Sequence, residues 1–195
     1  MLAWSPGTQT GKTTFAALFE NFAINVAYED FKKSPFWQAF YLNPGKYIFE
    51  TEISFALLHY HQIKKAIEQN HAKIICDFSF LLDLAYAKIG LFGSKLKTFE
   101  AVLNEIQNEL PRPDLYVYLQ CDAETQLERI ENRKRPEESL ISIEFLQSLN
   151  SALKFEVDKI EKSKVITVNS TEKDFAHLAS VQVEIVDLIK NTLSI

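Results

Sequence analysis

Near its N-terminus the chain reads WSPGTQTGKTT over residues 4–14, and this stretch decides the fold. It joins an apolar run to a helix-like run, and it ends in a Gly-Lys-Thr triplet at residues 11–13. In phosphate-binding loops, backbone N–H groups surround an anion, a lysine adds positive charge, and a threonine hydroxyl ligates Mg²⁺. Such loops have glycine where this chain has Pro6, with Gly7 one place later. We predict a phosphate loop that differs at its first turn. The alternative is a loop that merely contains glycine and lysine.

Strand-like segments alternate with helix-like segments along the rest of the chain. This alternation is typical of a parallel sheet covered by helices on both faces. We therefore predict an α/β protein in which one domain, residues 1–195, has three layers (α/β/α) and a five-stranded parallel sheet. The predicted strands are 1–5, 24–28, 72–77, 115–120 and 165–168. The predicted helices are 13–22, a short aromatic helix opening at Ser34 and Pro35, 46–69, 79–88, 97–110, 122–129, 142–161 and 175–193.

The composition limits the classes of function. The chain has 195 residues and a formal net charge of −5, so it lacks the basic excess that a general nucleic-acid surface needs. No apolar run reaches the length of a membrane span and no secretory signal is visible, so we expect a cytoplasmic protein with no membrane partner. Cys76 and Cys121 have no partners at ligand spacing, and we expect core thiols rather than a metal site or a disulfide.

Two carboxylates follow predicted strands. Glu29 comes just after the second strand and Asp77 ends the third, at the edge where open α/β sheets bind their ligands. Glu29 is suited to accept a proton from a substrate hydroxyl, although a solvated loop charge would give the same pattern. Asp77 is suited to hold Mg²⁺ directly or through water. Its alternative role is to cap the helix that follows.

Arginine is concentrated in one short segment. The chain has 17 lysines but four arginines, and three of these, Arg129, Arg133 and Arg135, fall within seven residues. Guanidinium groups suit phosphate oxygens, and three of them can close on a triphosphate and stabilise a transferring phosphoryl group. The alternative is an exposed helix face paired with nearby glutamates, which would contribute little to stability. We predict a lid at about 129–138.

These features together resemble the deoxynucleoside kinase family, particularly its short bacterial members that act on purine deoxynucleosides. Tyr41 and Glu52 have the spacing of that family's sugar-binding tyrosine and base-reading glutamine. The resemblance covers nearly the whole chain. It also rests on the phosphate loop, Glu29, the triplet Asp77-Phe78-Ser79, the arginine segment before Glu137 and Glu138, and residues 40–44. It implies a P-loop nucleoside-kinase fold, a homodimer joined through helices, and ATP-dependent phosphorylation of the 5′-hydroxyl of a deoxynucleoside.

The resemblance implies a role for each matching residue. The catalytic residues would be Glu29 as general base, with Lys12, Arg129, Arg133 and Arg135 acting on the phosphates. The donor ATP would be bound by Gly7, Thr8, Gly11, Lys12, Thr13, Thr14 and Arg133, with Phe175 stacking on its adenine. The metal Mg²⁺ would be held by Thr13 and Asp77. The nucleoside would be bound by Glu29, Tyr41, Glu52, His59, Asp83 and Glu138.

The chain departs from the family at four of these sites: Pro6 replaces glycine, Glu52 replaces glutamine, and His59 and Phe78 each replace arginine. Phe78 is the most serious departure, because an apolar ring supplies neither the charge nor the donors of the arginine that sits beside the general base. Either a lid arginine substitutes for it, or the chain is an impaired homologue that binds nucleotide or nucleoside. A nucleoside monophosphate kinase is a weaker alternative, because Tyr41 and Glu138 match positions that bind an unphosphorylated sugar.

Glu52 bears on the choice of base. An ionised carboxylate only accepts hydrogen bonds, whereas glutamine offers one donor and one acceptor. We hypothesise a preference for guanine, which presents donors at N1 and N2. A protonated Glu52 would instead imitate glutamine.

Overall fold

The computed structural model describes residues 2–4, 10–22, 24–69 and 73–193, with only the backbone for 2–4 and Asn21. Pro6, Gly7 and Thr8 of the predicted phosphate loop lie outside the described residues. The strands are β1 (Leu2–Trp4), β2 (Asn25–Ala27), β3 (Ile74–Cys76), β4 (Leu115–Gln120) and β5 (Val165–Asn169). The helices are α1 (Lys12–Ala17), α2 (Trp37–Leu42), α3 (Pro44–Glu68), α4 (Phe80–Gly90), α5 (Gly93–Glu109), α6 (Ala123–Arg133), α7 (Ile143–Val157) and α8 (Ala179–Leu193).

The described strands form one five-stranded sheet in the order β2-β3-β1-β4-β5, and every pairing is parallel. The strand β1 is central, with Ala3 beside Cys76 of β3 and Trp4 beside Val117 of β4. Parallel strands end at the same edge, so the segments that follow β1, β2 and β3 are neighbours. The sheet therefore gathers the predicted site residues at one edge.

Alternate side chains of the strands enter two different cores, as the period of two requires. Leu115, Val117 and Leu119 of β4 pack with α1 and α8 on one face of the sheet. Tyr118 of the same strand packs with α4 and α7 on the other. A third cluster joins β3 to α3, α4 and α5. The predicted three-layer α/β/α fold is confirmed.

Several helix boundaries differ from the prediction. The helix α3 begins at Pro44 rather than at 46, because proline is favoured at a first helical position and the Asn43 side chain accepts a hydrogen bond from the Lys46 N–H at 3.3 Å. The helix α5 begins at Gly93, where a φ of +58° turns the chain into the helix earlier than predicted. The helix α7 ends at Val157, four residues before its predicted end.

The structure also bears on the thiols and on the membrane. Cys76 and Cys121 are free thiols, and both are buried in the core as predicted. Burial raises the pKa of the Cys76 thiol to about 12. In the described parts of the chain, no helix is both long enough and apolar enough to cross a membrane.

Candidate active site

One cleft of about 360 Å³ opens at the carboxyl edge of the sheet, a size in the usual range for small-molecule sites. It is lined by twelve of the predicted site residues: Gly11, Lys12, Thr13, Thr14, Glu29, Tyr41, Glu52, Asp77, Asp83, Arg133, Arg135 and Glu138. Three other predicted site residues, Arg129, His59 and Phe175, do not line it. The fold thus brings residues from α1, α2, α3, α4 and the predicted lid to one place.

Glycine at position 11 is required on two grounds. Its φ of +91° lies in the left-handed region, where a side chain causes strain. A Cβ at this position would also lie 2.8 Å from Cζ of the Phe175 ring. Gly11 is the N-cap of α1, so Lys12 and Thr13 are the first two residues of that helix and lie at the mouth of the cleft.

The Phe175 ring packs against the turn at Gly11. Its side chain is buried, and its ring meets the Phe15 ring edge to face with centroids 5.2 Å apart. Both rings belong to the core between the sheet, α1 and α8. The prediction that Phe175 stacks on the donor adenine is therefore corrected, because the ring has no open face for an adenine.

Asp77 links the phosphate loop to the loop after β2. Its Oδ2 accepts a hydrogen bond from the Thr13 hydroxyl at 2.9 Å, and its Oδ1 accepts one from the Glu29 N–H. Burial raises the pKa of Asp77, while these two hydrogen bonds and the charge of Lys12 oppose that shift. The alternative role as a helix cap is excluded, because Ser79 caps α4 by accepting from the Leu82 N–H.

A buried histidine bridges two carboxylates behind the cleft. Nε2 of His59 lies 3.2 Å from Oε1 of Glu29, and Nδ1 lies 2.8 Å from Oδ2 of Asp83. Burial by itself would lower the pKa of His59, but the carboxylates of Asp83 and Glu29 outweigh it and raise that pKa to about 10. Burial likewise opposes ionisation of Glu29, yet His59 and Lys12 hold its pKa below the usual value. The Glu29 carboxylate is therefore ionised at neutral pH.

The predicted lid contributes another buried carboxylate, Glu138. Arg133 donates to Oε1 of Glu138, and Arg135 Nη1 lies 3.6 Å from the same oxygen. Among the described residues, no group bonds to the buried Oε2 of Glu138. Tyr41 lines the cleft with these residues, and its pKa is raised by burial and by the charges of Glu138 and Glu29. An unpaired buried carboxylate oxygen is costly unless a ligand donates to it.

Arg129 does not line the cleft. It donates to the carbonyl oxygen of Ser170 at 2.7 Å and contacts Sγ of Cys121 at 3.5 Å. It thereby ties α6 to the segment after β5. The structure separates Arg129 from Arg133 and Arg135, although all three were predicted to act on the phosphates.

Glu52 lies in the cleft wall with 4% of its surface exposed. Burial raises its pKa well above the usual value, and the nearby charges of Asp83 and Glu29 add to this, against an opposing effect of His59. This shift favours the neutral acid, which offers one donor and one acceptor. The direction of the shift favours the alternative in which a protonated Glu52 imitates glutamine over the guanine preference, which required an ionised Glu52.

Replacement of this acid should reveal its protonation. The pKa of Glu52 is raised in the folded protein. The carboxyl group therefore makes its full contribution to stability at pH values below its pKa in the unfolded chain. That contribution is lost as the pH rises through its pKa in the folded protein. Glutamine does not titrate, so its contribution to stability does not change with pH. We expect Glu52→Gln to match the wild type near pH 4.5 and to unfold at a higher temperature at pH 7.5, by about 2–4 °C for each kcal/mol relieved.

Thermal unfolding of both proteins from pH 4.5 to 8.5 tests this expectation. Glu50→Gln is the matched control, because Glu50 is an exposed carboxylate on the same helix. If the unfolding temperature of Glu52→Gln exceeds that of the wild type by more at low pH than at pH 7.5, or does not exceed it at pH 7.5, the result would contradict a neutral Glu52.

The sequence analysis missed the aromatic walls of the cleft. Phe31 and Trp37 meet edge to face at 5.0 Å, and Trp37 meets Tyr41 at 6.2 Å. These side chains, with Phe40 and Phe55, line the cleft. The available signal was the concentration of aromatic residues over 31–41, which predicted a helix but also suits a planar ligand.

A parallel α/β sheet with the Gly11-Lys12-Thr13 turn and the Glu29 carboxylate in one cleft at its edge is typical of a P-loop nucleoside-kinase fold. A family model described as deoxynucleoside kinase matches residues 8–194. The chain belongs to the deoxynucleoside kinase family. It is accordingly a kinase that phosphorylates a deoxynucleoside, and the alternative of an impaired homologue is not favoured.

Curated relatives agree with this family in sequence, and a solved structure agrees with the chain in fold. The chain is 26% identical to a deoxyguanosine kinase of Bacillus subtilis (strain 168) over 85% of this chain and 84% of that one. It is 31% identical to a deoxyadenosine kinase of Dictyostelium discoideum over 83% of this chain and 69% of that one. A structure of deoxyadenosine kinase from M. mycoides with products bound is similar in fold, with a TM-score of 0.82, 22% identity and 98% coverage of both chains.

Proposed function

We propose that this kinase transfers a phosphoryl group from ATP, with Mg²⁺, to the 5′-hydroxyl of a purine deoxynucleoside. The single observation that carries the proposal is the shared cleft. Its walls include Lys12 and Thr13 at the start of α1, the ionised Glu29, and Glu138, whose Oε2 has no hydrogen-bond partner among the described residues. The purine preference is supported by the relatives named above, a deoxyguanosine kinase and a deoxyadenosine kinase.

The proposed reaction uses Glu29 as the base. The Glu29 carboxylate accepts the proton of the 5′-hydroxyl as that oxygen attacks the terminal phosphorus of ATP, and the bond from this phosphorus to the bridging oxygen breaks to release ADP. Lys12 neutralises charge on the donor phosphates. Arg133 and Arg135 approach from the lid and stabilise the charge that develops on the transferring group. Arg129 takes part only if its bond to the Ser170 carbonyl is released.

The residues present fit a magnesium ion. The Thr13 hydroxyl and the Asp77 carboxylate are hard oxygen donors within 2.9 Å of each other, and Mg²⁺ prefers such oxygens together with water and phosphate. Thr13 and Asp77 would hold the ion. The chemistry that it supplies is neutralisation of phosphate charge during transfer.

The sugar and the base are proposed to bind at opposite ends of the same cleft. The orphaned Oε2 of Glu138 accepts a hydrogen bond from the 3′-hydroxyl, and the Tyr41 hydroxyl lies beside it. The neutral Glu52 offers one donor and one acceptor to the base edge, with Asp83 next to it. Either purine has a matching donor and acceptor pair, so Glu52 does not select guanine over adenine.

The wider properties implied by the family are also proposals. We infer one domain over 1–195 with a lid at about 129–138, a homodimer joined through helices, and a cytoplasmic location with no nucleic-acid partner. Leu57 of α3 and Phe155 of α7 are exposed apolar side chains that an interface would cover. Sedimentation of the purified protein tests the dimer.

The deciding experiment measures phosphoryl transfer from ATP and Mg²⁺ to each of the four deoxynucleosides, beside a thermal-shift titration with the same ligands. We expect turnover with deoxyadenosine, deoxyguanosine or both. Turnover with pyrimidine deoxynucleosides alone would overturn the purine proposal. Ligand stabilisation without turnover would overturn the proposed reaction.

A further inference from the structure

Two of the departures from the family contact each other. The rings of His59 and Phe78 are stacked, with centroids 4.2 Å apart and planes 10° from parallel. Each residue has 1% of its surface exposed, and neither lines the cleft. His59 therefore lies behind the cleft wall, where it touches Glu29 and Asp83 rather than a bound base.

The positions of the ring nitrogens restrict the protonation of this group. Both nitrogens of His59 face carboxylate oxygens, at 3.2 Å for Glu29 and 2.8 Å for Asp83. A neutral imidazole donates from one nitrogen and presents a lone pair at the other. Burial raises the pKa of Asp83, and the charge and hydrogen bond of His59 oppose that shift. When both carboxylates are ionised, the two contacts require an imidazolium that donates from both nitrogens. The charges of Asp83 and Glu29 also raise the pKa of His59, which agrees with this geometry.

We propose that His59 is a positioning residue that holds the Glu29 carboxylate for catalysis, and that Phe78 is the platform that fixes the His59 ring. The pair takes the place of the arginine that the family carries beside its general base. The inference rests on the proposed role of Glu29. It also removes the main objection to activity, because a cationic donor to Glu29 is present although position 78 holds an apolar ring.

His59 and Phe78 have different roles, which follow from the chemistry of their side chains. The bond from His59 occupies Oε1 of Glu29 and leaves the other carboxylate oxygen to take the substrate proton. A flat aromatic face attracts a cation stacked on it, so Phe78 suits an imidazolium neighbour. An arginine at position 78 would instead place a second cation against His59 in a buried site.

The first test separates positioning from base recognition. For His59→Asn we expect kcat to fall about 10- to 100-fold while the nucleoside KM changes less than about 3-fold, because a misplaced base slows the chemical step without altering the cleft wall. His61→Asn, an exposed change on the same helix, is the control and should leave both constants unchanged. A raised KM with unchanged kcat would overturn the proposal and return His59 to the base pocket.

The second test compares the effect of Phe78→Arg on kcat in two backgrounds, in which we expect opposite signs. We expect Phe78→Arg to lower kcat about 10-fold in the wild type, and to raise it in the His59→Asn background, where the guanidinium can donate to Glu29 without facing another cation. An increase of kcat in the wild-type background would overturn the proposal.

Phe78→Leu keeps an apolar side chain and avoids the buried charge. It should lower kcat with little change in KM, and unchanged kcat would overturn the platform role.

A third measurement does not depend on activity. Nitrogen NMR of the wild-type protein at pH 7.5, with the His59 signals assigned by their loss in His59→Asn, should show both ring nitrogens protonated. One unprotonated nitrogen would overturn the bridge. These results are distinguishable from failure of the proposed reaction, because loss of turnover for every deoxynucleoside leaves the NMR result intact. Likewise, a fully active His59→Asn enzyme leaves the reaction intact and removes only the positioning role.

Discussion

Glu29→Gln is expected to lower kcat/KM about 10²- to 10⁴-fold, because it removes the carboxylate that accepts the proton of the 5′-hydroxyl. The amide oxygen of glutamine can still accept the hydrogen bond that His59 donates to Oε1 of Glu29. The shape of the cleft should therefore be kept, and the dissociation constant of the nucleoside should change less than about 3-fold. Steady-state kinetics and calorimetric titration of the nucleoside measure the two quantities.

The neighbouring residue supplies a matched control. Asp30→Asn removes an adjacent carboxylate that pairs with Lys33 at 2.9 Å and does not line the cleft. We expect this variant to keep its activity. A Glu29→Gln enzyme with more than about a tenth of the wild-type rate would contradict general-base catalysis by this side chain.

Lys12→Met should produce the second large loss. The substitution keeps most of the side-chain length but removes the positive charge at the start of α1. We expect kcat to fall about 10²- to 10³-fold, comparable to the loss of one electrostatic stabiliser of a transition state. Lys12 also lowers the pKa values of Glu29 and Asp77, so the base should become harder to ionise in the variant.

The pH profile distinguishes these effects. If Lys12 also supports ionisation of Glu29, the acidic limb of the kcat/KM profile should move to higher pH in Lys12→Met. Lys97→Met is the control, because Lys97 is exposed on α5 and does not line the candidate active-site cleft. Retention of full activity by Lys12→Met would contradict a phosphate-binding role for this loop.

Local patterns were sufficient to predict the fold and the edge where the site lies. The phosphate-loop residues, Glu29 and Asp77 each follow a strand. Parallel strands end at one edge, so sequence order alone brings these residues together. The helix ends were less predictable. The start of α3 at Pro44 depends on a cap from Asn43, and the early start of α5 depends on the positive φ of Gly93.

Roles that depend on burial were not predictable in this way. Arg129 matched the lid by its spacing, yet its guanidinium donates to the Ser170 carbonyl 41 residues away. Phe175 matched a donor-stacking position, yet its ring fills the core beneath Gly11. Both assignments depended on which way a side chain turns, and packing against distant residues decides that direction.

The sequence by itself determined the class of fold, the edge of the sheet that carries the site and most of the residues that line the cleft. These follow from hydrophobic periodicity, strand order and a few residue types with specific chemistry. Only the tertiary structure decided the direction of the Glu52 pKa shift and the bridge from His59 to Glu29 and Asp83. A pKa depends on solvent exclusion and on charges that lie far apart in the chain, and these are fixed only when the helices pack on the sheet.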